Sequence, residues 1–417
     1  MHYLIRLLLV LLLCPLSVPA ISGPSGGGPQ NAESWASTRF SSFERALAFY
    51  RQLADDHDWG DIPATPLLQA GDRHSIVAEI RHRLALLGDL PYPIPGRDPA
   101  YFDEDLHWAL VHFQQRHSLR PDGVWGPRSR AALNVPPATR YRQLLLNRDR
   151  QQRFWQQLQP GGDYVQINIP AYEMRYFERG QEVLRMRAIV GKLAAKTPLL
   201  TSEIHSLELN PDWNVPGGIA YRDIVPELEQ GPDYLDEHSL ELVEGYGDRL
   251  RRLSFRELDY ERLYRGTEPQ QRFWQAAGPE NPLGQMKFNF PNDYLIFMHG
   301  TPSAHLFDKP VRNFSAGCVR IEYPEILARR LLGTAGLSDR GTWRFEDIIA
   351  SGENRVLSLP RPVAVYTTYW TAWIDEDQRL QFRDDIYGRD RQILASLADG
   401  GAQPATAASQ RRSRETP

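Results

Sequence analysis

The sequence predicts a multidomain α+β protein: a small three-helix domain, then a mainly β domain interrupted by a helical insertion. Three observations predict it. Apolar residues fall at helical spacing within residues 74–135, the period changes to two from Asp163, and a charged, helix-prone stretch separates two blocks of strand pattern. A length of 417 residues allows two or three domains, each large enough for its own core. The 41% apolar and 11% aromatic content is that of a folded chain. The net charge of -4 arises from interspersed acids and arginines, so no nucleic-acid partner is expected.

Residues 1–20 read as a signal peptide. Arg6 precedes the apolar run Leu7 to Leu13, and Val18-Pro19-Ala20 forms a small-residue cleavage site. That run is too short for a comfortable membrane span, and no later segment reaches spanning length. The expected compartment is the periplasm, with no stable membrane span after cleavage. Residues 21–73 begin as a flexible Gly/Ser/Pro leader and continue as a scaffold segment with a short helix around Phe43, Leu47, Tyr50 and Leu53.

In residues 74–135, Ile76, Ile80, Leu84 and Leu87 mark one helix that stops at Gly88. Phe102, Leu106, Leu110 and Phe113 mark a second. Phe113-Gln114 is followed by Asp122-Gly123 and Trp125-Gly126, two tight turns, and then by Ala131-Ala132-Leu133 in a last helix. Pro136-Pro137 mark a boundary, and residues 136–160 read as one connecting helix.

Residues 161–395 are expected to form the β domain. Val165, Ile167 and Ile169 alternate with polar residues, as do Tyr172, Met174 and Tyr176. Glu178 to Gln181 is a turn, and Leu184, Met186 and Ala188 resume the alternation. A strand over Leu295 to Met298 runs into His299, and others lie near Val363 to Tyr366 and around Leu380 and Phe382. Residues 211–280 read as a capping insertion, helix-prone from Tyr234 to Leu263, hinged at Asn210-Pro211, Gly217-Gly218 and Gly278-Pro279. Residues 396–417 have the composition of a disordered tail.

The chain has two cysteines, and Cys14 leaves with the signal. A lone cysteine in an oxidising compartment is either an inert buried thiol or a nucleophile. The surroundings of Cys318 favour the nucleophile. His299-Gly300-Thr301-Pro302 precedes it, and it lies within Ser315-Ala316-Gly317-Cys318-Val319-Arg320. An ordinary thiol is only about 3% ionised at pH 7. An imidazole can remove its proton or hold the thiolate as an ion pair. The Gly300 carbonyl can fix the tautomer of His299. The amides of Ala316, Gly317 and Cys318 can converge as an oxyanion hole ahead of a helix starting near Pro324. Arg320 either forms a structural salt bridge or attracts a substrate carboxylate. Ser315 and Thr301 are further candidate substrate-binding residues. A zinc site of His299, His305 and Cys318 fits no short zinc signature, so no metal is expected.

These residues resemble two known families. Phe113-Gln114, Asp122-Gly123 and Ala132-Leu133 are similar to the signature of the three-helix peptidoglycan-binding module, with Ser118 where that family usually has Gly and Arg128-Ser129 in place of its Thr region. His299, Ser315, Gly317, Cys318 and Arg320 occupy the motif of the L,D-transpeptidase family with the YkuD-type catalytic domain; Ala316 stands where many members have His. Asn210-Pro211-Asp212-Trp213-Asn214-Val215-Pro216, Asn281-Pro282-Leu283-Gly284, Lys287-Phe288, Phe290-Pro291-Asn292 and Tyr369-Trp370-Thr371-Ala372-Trp373 look like its large periplasmic subgroup with a substrate cap. The resemblance implies a mainly β YkuD-type catalytic domain with a capping insertion. It implies a Cys318 thioester, release of D-alanine, and links between third-position diamino acids of peptidoglycan stems, without a cofactor. Donor and acceptor tetrapeptide stems are the implied substrates, and wall synthases the implied partners. The alternatives are an L,D-carboxypeptidase or endopeptidase, in which water resolves the thioester, and a non-catalytic wall-binding protein.

Overall fold

The structure is a computed structural model that describes residues 40–91, 98–228, 231, 233–264, 271–333 and 345–398. The expected signal peptide, leader and most of the tail lie outside the described residues. Among the described residues no helix is long and apolar enough to cross a membrane.

The N-terminal part is helical: α1 (Phe43–Asp56), α2 (Val77–Leu86), α3 (Glu104–Arg116), α4 (Pro127–Leu133) and α5 (Pro137–Gln157). The Ser42 side chain accepts from the Arg45 amide to start α1, and Asp103 does the same for Leu106 in α3. Pro137 opens α5 where a missing N–H costs nothing. Buried Gln114 explains the Phe-Gln and Asp-Gly pair. Its Nε2 donates to the Val124 carbonyl (3.0 Å) and Ser129 Oγ (3.1 Å), and its Oε1 accepts from the Gly123 amide (2.9 Å). One side chain on α3 thus pins the turn that leads into α4.

Ser118, at the end of α3, has φ +55°, the left-handed conformation that glycine adopts without strain. Ser118→Gly is expected to raise stability by about 1 kcal/mol, read as a higher urea midpoint at unchanged slope. Asp89 and Arg116 form an ion pair with almost no exposure, with Arg116 Nε 2.8 Å from Asp89 Oδ1. Asp89→Ala would leave the guanidinium buried and unpaired, and should cost about 3–5 kcal/mol in the same melt.

The β domain opens with β1 (Tyr164–Asn168), β2 (Glu173–Glu178), β3 (Gln181–Gly191) and β4 (Thr201–Leu209). Arg179 and Gly180, both at positive φ, form the two-residue turn between β2 and β3. The insertion follows: β5 (Trp213–Asn214), α6 (Gly217–Ile219), a π turn (Ala220–Ile224), α7 (Val225–Leu228), α8 (Asp233–Glu237), β6 (Glu241–Glu244), β7 (Arg251–Leu253), α9 (Tyr260–Tyr264) and β8 (Gln271–Gln275). Its helices were expected; its four-stranded antiparallel sheet, in the order β5-β8-β6-β7, was not. Leu242 and Phe273 pair across β6 and β8 in a separate core with Val215, Ile224 and Leu228, so tertiary pairing overrides the helical preference of the charged residues around them.

The chain returns through β9 (Met286–Asn289), β10 (Met298–His299), β11 (Asn313–Ser315), β12 (Val319–Ile321), α10 (Pro324–Leu332), α11 (Phe345–Ser351) and β13 (Arg355–Thr368). The large sheet has the order β11-β3-β12-β10-β9-β4-β13-β1-β2, and β2 also pairs with β3, so the ladder runs round to meet itself. Met174, Met186, Leu207, Phe288, Met298, Val319 and Val365 meet α10 and α11 in one buried cluster. The strand expected over Leu295 to Met298 is shorter than that. Leu295 is exposed with φ +53°, which breaks the extended chain just before β10.

The last elements are β14 (Ala372–Ile374), β15 (Leu380–Phe382) and α12 (Arg389–Ala398). Ala372, Leu380 and Phe382 complete the core of the N-terminal helices. Phe382 meets Tyr50 edge-on at 5.6 Å and stacks on His117 at 5.4 Å. From α5, Gln143 Nε2 donates to the Thr371 and Arg383 carbonyls, Asn147 Nδ2 donates to Thr371 Oγ1 (2.7 Å), and Gln151 Nε2 donates to the Ala372 carbonyl (2.9 Å). Residues assigned from the sequence to the β domain therefore sit inside the helical unit. The segments do not correspond to independent cores, because the helices leave an apolar face that, among the described residues, β14 and β15 cover.

Candidate active site

Residue alternation along two short parallel strands builds the site. Met298 pairs with Val319 and His299 with Arg320, and the Val319 amide donates to the Phe297 carbonyl. Met298, Val319 and Ile321 point into the apolar cluster. Side chains alternate across a sheet, so Phe297, His299, Cys318 and Arg320 share the other face. His299 and Cys318 are diagonal neighbours on that face.

A row of polar side chains crosses four strands on this face. Glu208 pairs with Lys287, Lys287 with His299, and His299 with Arg320. Lys287 Nζ lies 3.0 Å from Glu208 Oε2, and Asn354 Nδ2 donates to Glu208 Oε1. Arg320 has no carboxylate partner among the described residues, and its buried Nε has no hydrogen-bond partner. The salt-bridge reading of Arg320 is therefore not what the structure contains.

The His299 ring is buried, and its Nδ1 donates to the Gly300 carbonyl at 2.6 Å, which leaves the lone pair on Nε2. Burial, followed by the charge of Arg320 and more weakly that of Lys287, drives its pKa down to about 3, although the Gly300 and Leu283 carbonyls pull the other way. Burial also pushes the Cys318 thiol up, against the Phe297 amide, Arg320 and Lys287. Both shifts favour the uncharged forms, a thiol and an imidazole.

The loop before Cys318 differs from expectation in two respects. Ser315 is buried, its Oγ accepting from the Gly317 amide (3.1 Å) and donating to the Cys318 carbonyl. It braces the loop and has no surface to offer a substrate. The Gly317 amide is consumed by that bond, so it cannot serve an oxyanion. Ala316 is exposed, and the amide of Cys318 has no partner among the described residues. Gly317 has φ +121°, and a Cβ there would lie 2.9 Å from Ile296 Cδ1, so only glycine fits. Thr301 Oγ1 accepts from the Ser303 amide, which caps the turn after the histidine. His305 is exposed on a 3-10 turn, Ala304–Asp308.

The neck of the insertion is tied rather than loose. Asn210 Nδ2 donates to the Ile348 and Glu353 carbonyls, Asn281 Nδ2 to those of Pro211 and Ala276, and Asp212 accepts from the Ala277 amide. The expected hinges Asn210-Pro211 and Gly278-Pro279 thus lie at a neck held by side-chain hydrogen bonds. Its π turn comes near the β3–β4 connection, where Lys192 helps to lower the Asp223 pKa after Arg222. Lys192 in turn donates its amide to the Ser315 carbonyl. Sequence reasoning gave no role to Lys287 or Glu208. The period-two pattern of β9 offered a signal for Lys287, since it falls on the polar face between buried Met286 and Phe288.

Two family models match parts of this chain. The family model described as "L,D-transpeptidase catalytic domain" (YkuD) matches residues 162–355, and that described as "Putative peptidoglycan binding domain" matches residues 73–133. A "Putative L,D-transpeptidase" of Haemophilus influenzae is 34% identical over 227 residues, 54% of this chain and 44% of that protein, so the match spans less than half of the relative's length. Among solved structures, an L,D-transpeptidase from Xylanimonas cellulosilytica is 14% identical, covering 74% of this chain and 100% of that one, with a TM-score of 0.23. One from Stackebrandtia nassauensis is 13% identical, covering 75% and 95%, with a TM-score of 0.24. Residues 162–355 thus match the YkuD L,D-transpeptidase catalytic domain, and residues 73–133 before them match the peptidoglycan-binding domain.

Proposed function

We propose that the protein is a periplasmic L,D-transpeptidase that joins third-position diamino acids of peptidoglycan stems through a Cys318 thioester. The observation that carries this reading is the shared sheet face of Cys318, a neutral His299 and an Arg320 without a carboxylate partner. In the first half-reaction, His299 Nε2 takes the thiol proton as Sγ attacks the carbonyl between the third and fourth stem residues. The oxyanion forms beside the Cys318 amide. The C–N bond breaks, the imidazolium gives its proton to the leaving nitrogen, and D-alanine departs. In the second, the side-chain amine of another stem attacks the thioester and loses a proton to His299, and the thiol re-forms. Arg320 attracts a stem carboxylate. The insertion excludes water from the thioester. The helical unit at residues 73–133 binds the wall.

The test incubates the full chain with a tetrapeptide stem and follows intact-protein mass and free D-alanine. An adduct of the tripeptide acyl group, then a cross-linked dimer, is the expected result. Hydrolysed tripeptide without dimer would make the protein a carboxypeptidase. No adduct and no D-alanine would leave a wall-binding protein.

A further inference from the structure

We propose that Thr197 and Tyr387 are positioning residues for the nucleophile, holding the Gly317–Cys318 peptide so that the Cys318 amide faces the developing oxyanion. The proposal rests on the transpeptidase reading above. Thr197 is fully buried, and its Oγ1 donates to the Gly317 carbonyl at 2.8 Å. In a planar trans peptide the carbonyl and the following N–H point in opposite directions. Tying the Gly317 oxygen on one side therefore aims the Cys318 N–H to the other, and that N–H is free of internal partners among the described residues.

Thr197 is itself held. Its Oγ1 accepts from the Gly191 amide (2.9 Å), its own amide donates to the Tyr387 hydroxyl (3.2 Å), and that hydroxyl donates to the Gly191 carbonyl (2.6 Å). Both hydroxyls thus donate once and accept once. The β3–β4 connection folds so closely over Gly191 that a Cβ there would lie 2.1 Å from the Ala195 carbonyl oxygen. Tyr387 lies beyond the matched catalytic domain, which ends at residue 355. Its backbone amide donates to the Tyr369 hydroxyl, which donates to Asp385. The ion pair of Arg150 with Asp390 joins this segment to α5. Part of the bracing behind the loop that presents Cys318 therefore comes from beyond the matched residues.

The test measures two reactions of Cys318 in wild type, Thr197→Val, Thr197→Ser and Tyr387→Phe. One is acylation by a tetrapeptide stem, which develops an oxyanion; the other is alkylation by iodoacetamide, which does not. Removing an oxyanion donor outright costs about 10²–10³ in rate, so misdirecting one should slow acylation about 10- to 100-fold in Thr197→Val, in kcat rather than KM. Thr197→Ser should recover most of the rate, and alkylation should stay within about twofold of wild type, because the thiol is untouched. Equal acylation in Thr197→Val and wild type would overturn the proposal. A parallel fall in alkylation would also overturn it, because the defect would then lie at sulfur. If Thr197→Val does not fold, Tyr387→Phe must show the same split. A wild type that is alkylated but never acylated overturns the transpeptidase reading and this one with it; the wild-type arm alone separates that outcome.

Discussion

Cys318→Ala is expected to abolish acyl-enzyme formation and both products that follow from it, with the fold intact. Cys318 is the one free cysteine among the described residues, so a thiol reagent should label the folded protein there, and the variant should lose that label. The loop has no need of the sulfur: Ser315 Oγ bonds to the backbone of Gly317 and Cys318, and Thr197 holds the Gly317 carbonyl. Replacing a half-buried thiol by a methyl group should change stability by no more than about 1 kcal/mol. Intact-protein mass with a stem donor, beside a urea melt, checks both halves. Turnover retained in a folded Cys318→Ala protein would remove the nucleophile from the mechanism.

His299→Ala should slow acylation by about 10²–10⁴, the usual worth of a positioned general base. The pH profile tests the neutral-pair state more sharply. An ordinary imidazole with pKa 6.5 is roughly three-quarters protonated at pH 6 and cannot accept a proton. His299, held near 3, stays unprotonated there, so kcat/KM for acylation should be flat from about pH 5 to 8, with no acid limb near 6.5. Alkylation, which needs thiolate, should instead climb with pH through that whole range, because burial holds the thiol above its usual value. An ion pair would give the opposite pattern, with alkylation level across neutral pH.

Much of this site was legible in the sequence because strand and turn chemistry is local. The alternation from Val165 to Ala188 gives the β1–β3 meander, Arg179-Gly180 its turn, and Pro324 the start of α10. The pairing of His299 with the Cys318 loop followed from a motif in which each residue has a chemical reason. The rest depended on contacts between distant segments. Nothing near Ser315 announces that its hydroxyl turns inward, or that it takes the Gly317 amide from the oxyanion. Leu295 reads as a strand residue by hydropathy, yet its backbone is left-handed. In the insertion, apolar Leu242 sits among charges that suggested helix, and only its pairing with Phe273 across β6 and β8 makes it part of a strand.

The contribution of Phe382 to the N-terminal core has a consequence for how the chain matures. Arg383 Nη1 donates to the Arg116 carbonyl across 267 residues, and Gln143 reaches Arg383 across 240. During synthesis helices α1 to α5 are made well before β14 and β15, and their apolar face stays open until residues 372–382 follow. Closing so long a loop costs only slightly more entropy than closing a short one, but it delays the contact. The helices and the β-sheet should therefore melt as one cooperative transition, not as two beads on a linker. A cut at Pro136-Pro137, where the sequence alone suggests a boundary, would yield two fragments that each expose an unfinished core and aggregate.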